Sequence, residues 1–197
     1  MRILLSVLLI TVVAMAETVT LEPINDTYTQ DVPGYHGNKT NLILVNKPSC
    51  GQPDTRVSIM WDLSEYTGVD ITSAVMKLDA YFQCGSGTGT SCNIYAITEE
   101  WDESWSGSHH AHETAGSGTY FFQGLGWHDI DVTDLVQRWV NGEIDNNGLV
   151  LRVVTIYPAT KFYSSETVNS PELVLTYEGH ALSANTWAGI KSTWAVD

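Results

Sequence analysis

Apolar residues alternate with polar ones in a succession of short segments, and this period of two limits the fold most strongly. In Val57–Leu63 and Ala74–Phe82 every second residue is apolar, and Lys77 and Asp79 stand between apolar neighbours. Such alternation is typical of a strand with one buried and one exposed face, because successive side chains point to opposite sides. Further strand-like runs occupy residues 42–45, 94–98, 120–123, 127–132, 149–156, 162–165 and 173–177.

Helical patterns do not separate these runs, with one exception. The sequence therefore predicts an all-β fold, an antiparallel β-sandwich or jelly roll, with one short helix near residues 133–141. Four apolar residues recur there with helical spacing: Leu135, Val136, Trp139 and Val140. Thr133 or Asp131 is the predicted N-cap of this helix, and Gly142 is expected to end it in a left-handed conformation.

Both ends of the chain differ from the strand-rich middle. Arg2, an apolar run and a small-x-small site predict a secretory signal peptide at residues 1–16. The sandwich is expected to span residues 17–178 as one domain. The tail, residues 179–197, has three apolar residues at the spacing of a short amphipathic helix: Trp187, Ile190 and Trp194. We expect it either to fold back on the sandwich or to dock to a cell-surface or secretion component.

The charge balance restricts the partners. Nine basic and 23 acidic residues give a net charge of −14, and the loss of Arg2 with the signal peptide would make it −15. Nucleic acid and anionic membranes are excluded as partners, because both require clustered cations, and polyanionic substrates are disfavoured. No apolar run after the leader reaches the roughly 18–20 residues of a membrane span. We expect a secreted protein, in solution or at the cell surface.

Three cysteines in an oxidising compartment permit one internal disulfide. Cys84 and Cys92 flank a stretch rich in Gly and Ser between two strand-like runs, and they are the predicted pair. Cys50 joined to either of them is the alternative. No spacing is of the CxxC type, so the cysteines are expected to be structural.

A cluster of histidines has the residue types of a metal site. His109, His110 and His112 precede Glu113 in a loop rich in Gly and Ser. Nothing in the sequence fixes their side chains, whereas a zinc site requires preset geometry and supporting contacts. An exposed polar loop is the favoured interpretation.

No cofactor is predicted. If the chain takes a structural ion, calcium is the best candidate, because acidic and backbone oxygens dominate the turns. The candidate ligands are Asp26, Asp129, Asp131 and Asn146, and none of them belongs to an EF-hand loop.

Acidic residues near position 100 invite comparison with a catalytic pair. Glu99, Glu100, Asp102 and Glu103 are close in sequence, but a glycosidase pair must face across a cleft at a fixed separation. Adjacent acids in so acidic a chain indicate a solvated loop. The sequence also has no Gly-x-Ser-x-Gly elbow, His-Glu-x-x-His helix or phosphate loop, so no enzyme activity is predicted.

Aromatic residues in or beside loops carry the functional signal. Sugar rings lie flat on indole and phenol rings while polar side chains bind the hydroxyls, so such residues can bind glycans without catalysis. The predicted ligand-binding residues are Trp101, Trp105, Trp127, Tyr120 and Tyr163. Packing in the core is the alternative interpretation for each of these five. For three other aromatic residues, Trp61, Trp139 and Tyr177, packing in the core is the preferred interpretation.

Several motifs, taken in order, resemble one family. Residues 56–64 (RVSIMWDLS) and 71–74 (ITSA) resemble the "R-x-x-L-x-F-D-L-S … I-x-S-A-x-L" passage of DNRLRE domain proteins, the disaggregatase-related group of carbohydrate-binding module family 96. Residues 101–105 (WDESW) look like their W-x-E-(x)n-W loop, and residues 131–139 (DVTDLVQRW) look like their "D-V-T-x-L-V-Q-x-W". The closing elements of the family are similar to residues 147–151, 162–166 and 171–177. The likeness spans residues 19–177.

The resemblance implies an extracellular jelly-roll module that binds glycans. Family members described as alginate binders use cationic residues, which are few here, so a neutral or weakly charged polysaccharide is the expected ligand. The recurring motif residues are expected to be framework, among them Arg56, Thr133, Trp139 and Glu166. Glu166 is expected to pair with Arg56, Arg138 or Arg152, or to accept turn amides.

Three functions follow in order of preference. A secreted, non-catalytic carbohydrate-binding module is the prediction. A structural or adhesive cell-surface protein is the alternative, and a polysaccharide lyase or glycosidase is third.

Overall fold

The computed structural model describes residues 16–46, 51–85, 89–154 and 159–178. The predicted signal-peptide residues 1–15, the tail from residue 179 and Cys50 lie outside the described residues. Within the described ranges the strands are β1 (Ala16–Leu21), β2 (Asn25–Gln30), β3 (Asn41–Val45), β4 (Thr55–Met60), β5 (Ile71–Cys84), β6 (Thr90–Ala96), β7 (Gly118–Phe122), β8 (Gly126–Asp131), β9 (Leu149–Val153), β10 (Ala159–Tyr163) and β11 (Glu172–Glu178). A 3₁₀ helix at Ser64–Tyr66 and one α-helix, α1 (Thr133–Val140), complete the elements.

The strands form one curled, antiparallel path that we divide into two sheets. The first sheet is built around β5, which pairs with β8 on one edge and with β10 and β11 on the other; β3 extends from β10 and β1 from β11. The second sheet has the order β2-β4-β9-β6-β7. The pair Val45–Thr55 of β3 and β4 joins the two. The predicted antiparallel β-sandwich is confirmed.

Alternation along β5 decides which side of the first sheet is buried. Its apolar residues Met76 and Leu78 are fully buried, so Lys77 and Asp79 point to the opposite face. The two sheets meet across the core, where the rings of Phe122 from β7 and Phe162 from β10 have centroids 4.8 Å apart. Thus each sheet has one face in a shared core and one outer face.

The polar strand β2 has no apolar alternation that would have predicted it. It pairs with β4 along its whole length, from Asn25–Met60 to Gln30–Thr55. Its Asp26, Thr27 and Thr29 are all at most 2% exposed. Burial of such residues requires hydrogen-bond partners from distant segments, which a local pattern cannot reveal.

Helix α1 matches the predicted position, and its four apolar residues are buried, including the framework residue Trp139. The predicted N-cap is wrong, because Val132 holds that position and provides no side-chain cap. Asp131 instead accepts the Thr133 N–H at 2.9 Å, and the Thr133 hydroxyl accepts the Ala74 N–H at 2.9 Å. Gly142, with φ +69°, ends the helix as predicted.

The predicted Cys84–Cys92 disulfide is wrong. Cys92 is a free thiol with no exposed surface, whereas Cys84 is disulfide-bonded. On β6, Cys92 points into the core together with Ile94 and Ala96. Burial raises the pKa of the Cys92 thiol to about 12. The alternative involving Cys50 falls on a residue outside the described ones.

Candidate functional site

The β6–β7 loop, residues 97–117, covers the outer face of the second sheet. Val57 and Ile59 of β4 lie in the core, so Ser58 between them points outward. Its hydroxyl lies 2.8 Å from Nδ1 of His110, a residue of the loop. Backbone hydrogen bonds anchor both ends of the loop to neighbouring segments. This face is therefore occupied in large part by the chain's own residues.

Trp101 is buried under this loop, with only 8% of its surface exposed. It forms a second apolar cluster with Tyr95, Ile97 and Val150. Its indole N–H donates to the Asn147 carbonyl at 2.8 Å. The expectation that this indole stands free on a loop is wrong, because the ring packs against the sheet and has its N–H satisfied.

Trp105 is half-buried and folds back on its own loop. Its indole N–H donates to the Ser108 carbonyl at 2.9 Å, and its ring centroid lies 4.6 Å from that of His110. The backbone at Gly107 lies so close that a Cβ there would meet the indole at 2.7 Å. An open depression of about 600 Å³ adjoins this ring and is lined by residues 100–102 and 104–107.

The predicted exposed histidine loop is wrong for two of its three residues. His110 is 1% exposed and its ring packs against the indoles of Trp101 and Trp105. Burial, and then the charge of His109, lowers the pKa of His110 to about 4. His109 has a side chain only 10% exposed, and burial followed by the charge of Arg56 lowers its pKa.

His112 is only partly buried. Its ring stacks on Tyr95 with centroids 4.5 Å apart, and its Nδ1 lies 2.7 Å from the Glu113 carbonyl oxygen. These contacts fix the side chain within the loop.

Two of the acidic residues near position 100 hold turns, and Glu100 lines the depression beside Trp105 together with Asp102. Glu99 accepts the Ala111 N–H at 2.6 Å, and Asp102 accepts the Ser104 N–H at 2.7 Å. Both contacts stabilise the β6–β7 loop.

Glu103 of this loop joins a carboxylate cluster with Asp26 and Glu166, whose oxygens lie within 4.8 Å of one another. Asp26 is 1% exposed and accepts the Ser165 N–H at 2.8 Å and its hydroxyl at 3.0 Å. Burial, followed by the charges of Glu166 and Glu103, raises the pKa of Asp26 to about 7 against those hydrogen bonds. A backbone hydrogen bond from Asp26 to Glu103 ties the loop to β2, and the Ser165 contacts tie β2 to the chain after β10.

The structural calcium ion stays a prediction. The other three candidate ligands lie apart from Asp26 and have contacts of their own. Asp129 is 4.0 Å from the Lys77 ammonium, Asp131 holds the start of α1, and the Asn146 amide donates to the Trp61 carbonyl at 2.8 Å.

Glu166 has no arginine partner among the described residues. It accepts the Ser164 hydroxyl instead. Arg138 makes a two-bond pair with Glu113, at 3.1 and 2.8 Å. Arg56 buries a guanidinium Nε that has no hydrogen-bond partner within the described chain.

The outer face of the first sheet is open and aromatic. Trp127 of β8 pairs in register with Asp79 of β5, so both point away from the core. The indole is 46% exposed, and the Lys77 ammonium lies 5.7 Å from its centroid. Asp79 accepts the Asn169 amide at 2.6 Å, which places a fixed polar pair beside the indole.

Three further rings lie on this face beyond Asp79. Tyr81 packs in a tilted arrangement on the predicted residue Tyr163, with ring centroids 4.7 Å apart. Phe82 pairs with Lys161, whose ammonium is 5.4 Å from the ring centroid. Phe82 is 40% exposed and Tyr81 is 36% exposed. We call Trp127, Tyr81, Phe82 and Tyr163 the aromatic face.

Tyr120 lies elsewhere. On β7 it shares the inward side with Phe122, and the two rings are 4.9 Å apart. Of the five predicted ligand-binding residues, the structure therefore places Trp127 and Tyr163 on one open surface. Tyr81 and Phe82 were missed. Strict alternation puts Phe82 on the buried side with Met76 and Leu78, but the β5–β10 pairing shifts register between Lys161 and Phe162, and Phe82 is 40% exposed.

The fold and this surface define a class, the antiparallel β-sandwich modules. Over residues 17–177 the chain matches the model of carbohydrate-binding module family 96, and it belongs to that family. The resemblance drawn from the motifs is confirmed. No curated protein matches the chain. In the described part of the chain, no helix is long and apolar enough to cross a membrane.

Proposed function

We propose that the chain is exported and binds a neutral or weakly charged polysaccharide, without cleaving it, through the aromatic face. The observation that carries this proposal is the exposure of Trp127, Phe82 and Tyr81 on one side of one sheet. Single exposed apolar residues are ordinary on a protein surface, but a contiguous group is a mark of a binding site.

The chemistry of this surface suits a sugar chain. The rings offer flat apolar surfaces on which the C–H faces of pyranose rings can lie. Asp79, Asn169, Lys77 and Lys161 stand among them and can bind hydroxyl groups. Among the described residues, the site has two cations, Lys77 and Lys161, which supports a weakly charged glycan over a densely anionic one.

The proposal that the chain does not cleave the polysaccharide is supported by the hydrogen bonds of its acidic residues. Glu99 and Asp102 accept backbone amides, and Asp79 accepts the Asn169 amide. Glu100 and Asp102 both line the open depression beside Trp105, but hydrogen bonds from the hydroxyl and the N–H of Ser104 lower the pKa of Asp102 and disfavour the protonated form that a general acid requires.

Affinity electrophoresis through gels containing neutral and uronate polysaccharides tests the proposal. Trp127→Ala should weaken retention by roughly tenfold or more, because a stacked indole is a typical binding hot spot. Leu125→Ala is the matched control, since Leu125 is 64% exposed two residues away and lies outside the aromatic face.

Three outcomes would contradict this assignment. Loss of retention in Trp105→Ala with full retention in Trp127→Ala would move the site to the depression in the β6–β7 loop. Absence of retention on every polysaccharide would favour the structural or adhesive role. Release of sugar fragments by the purified chain would show catalysis.

A further inference from the structure

Three separate segments bring possible metal ligands together at one end of the second sheet. Asp31 follows β2, Asp54 precedes β4, and His109 belongs to the β6–β7 loop. Since Gln30 and Thr55 pair in register, the two aspartates leave the sheet at the same end. Their carboxylate oxygens and a nitrogen of His109 lie within 4.8 Å of one another.

The imidazole of His109 is held in a fixed orientation. Its side chain is 10% exposed, and its Nδ1 lies 3.0 Å from the hydroxyl of Thr29, which is 2% exposed. A hydrogen bond at one ring nitrogen that orients the other is the usual arrangement of a metal-binding histidine. The second nitrogen, Nε2, consequently faces the two carboxylates.

The Nε2 atom is buried without a hydrogen-bond partner in the described chain. It lies 2.9 Å from Oδ1 of Asp31 without meeting the geometry of a hydrogen bond. If Nδ1 carries the proton, the Nε2 lone pair faces a carboxylate oxygen, which is repulsive. If Nε2 carries it, the N–H has no acceptor in line. A cation between the nitrogen and the carboxylates resolves both situations.

We propose that His109, Asp31 and Asp54 bind a divalent transition-metal ion of the zinc type. Imidazole and carboxylate ligands bind zinc at about 2.0–2.2 Å, and neighbouring ligands of one such ion stand roughly 3 Å apart. The 2.9 Å separation of Nε2 and Oδ1 fits that arrangement. The imidazole nitrogen selects against calcium and magnesium, which prefer oxygen ligands throughout.

Neighbouring charges determine how strongly the metal ion is expected to bind. Arg56 and Arg152 act on Asp54, and Arg56 acts on His109 as well. These guanidinium groups offset the two carboxylates, so electrostatic attraction alone is weak and the His109 bond is essential. We expect a dissociation constant on the order of micromolar, and the bound ion fastens the β6–β7 loop to the ends of β2 and β4.

Thermal unfolding of untagged, metal-stripped protein tests the proposal, with zinc, calcium or no ion added. Zinc at about ten times its dissociation constant should raise the Tm by roughly 3–6 °C, and calcium at the same concentration should not. Cobalt in place of zinc should give visible absorption bands that report ligation by the imidazole. An unchanged Tm together with a cobalt spectrum equal to that of the free ion would overturn the proposal.

Substitutions locate the ion. His109→Gln and Asp31→Asn should remove the zinc-dependent shift, whereas His112→Gln and Asp129→Asn should keep it. Asp31 has a side chain 65% exposed, so Asp31→Asn stays informative even if His109→Gln fails to fold. A zinc shift that persists in Asp31→Asn or in a folded His109→Gln protein would refute this site. The readout is independent of glycan binding.

Discussion

The two outer faces of the sandwich are built from strands with the same alternating pattern, but one is covered by a loop and the other is open to solvent. On the second sheet, the outward residues lie under the β6–β7 loop, and Trp101 is 8% exposed there. On the first sheet no loop of the described chain closes over Trp127, which is 46% exposed. Alternation makes an outer face, but connecting segments decide whether that face is left available to a partner.

The comparison also separates two uses of tryptophan. Trp101 has its N–H satisfied by the Asn147 carbonyl and its ring packed in a buried apolar cluster, so it stabilises the fold. Trp127 contacts Lys77 at its ring and keeps nearly half of its surface in solvent. An indole of the first kind contributes to unfolding free energy, and one of the second kind can contribute to binding.

The largest expected effect is on the covered face. Trp101→Ala should lower the free energy of unfolding by about 3–5 kcal/mol, because it opens a cavity and leaves the Asn147 carbonyl without its donor. Urea denaturation followed by circular dichroism measures this change. A loss below about 1 kcal/mol would mean that the loop does not pack on the sheet as described.

Asp26 should make stability depend on pH. Its pKa is raised from 3.8 to about 7 on folding, so the folded carboxyl holds its proton more tightly than the unfolded one. Stability should therefore fall as the pH rises from about 4 to about 7, by up to roughly 4 kcal/mol at ~1.4 kcal/mol per pKa unit.

Asp26→Asn, which mimics the protonated form, should remove that trend. Denaturant midpoints measured at pH intervals from 4 to 8 provide the measurement, and Asp129→Asn is the control on an exposed carboxylate. An identical profile in Asp26→Asn and the parent chain would speak against the carboxylate cluster.

His110 should make stability depend on pH in the opposite direction to Asp26. Its pKa is lowered from 6.5 to about 4 on folding, so the unfolded state binds the proton more tightly. Stability should be lost as the pH falls from about 6.5 to about 4, by up to roughly 3 kcal/mol. The trends of Asp26 and His110 should therefore partly cancel in the parent chain.

His110→Asn should uncover the Asp26 trend in the same denaturation series. A steeper fall of stability with rising pH is expected between pH 4 and 6.5. If this variant and the parent chain have parallel profiles, His110 titrates normally and is not enclosed by the loop.

The smallest effect is expected on the open face. Trp127→Ala should change the free energy of unfolding by less than about 1 kcal/mol, because the ring is half-exposed on an edge strand. Its urea midpoint should stay close to that of Leu125→Ala. A loss as large as that of Trp101→Ala would show that Trp127 is a packing residue, and the two faces would no longer differ in kind.

Local patterns predicted most of the sandwich and its single helix. Alternation in β4 and β5 and helical spacing in α1 report burial directly, since each element has one face in the core. The strand β2 escaped notice because Asp26, Thr27 and Thr29 are buried through long-range partners. No local period contains that information.

The candidate sites were harder to predict for the same reason. Loop residues such as Trp101 and His110 have no period, so the sequence could not reveal that the chain folds back over them. Cys92 was misassigned because a cysteine that points into the core resembles, in sequence, one beside a flexible stretch. Trp127 and Tyr163 stay predicted binding residues, and the sheet register was needed to place them on one surface.

The enclosed thiol of Cys92 has a practical consequence for work with this chain. With no exposed surface and a pKa of about 12, it should not react with maleimide dyes in the native state. The described residues contain no other free thiol. Cys92 would therefore not compete for the dye with a cysteine introduced at the rim of either sheet, and the emission of a fluorophore at that rim could report ligand binding while Cys92 is kept.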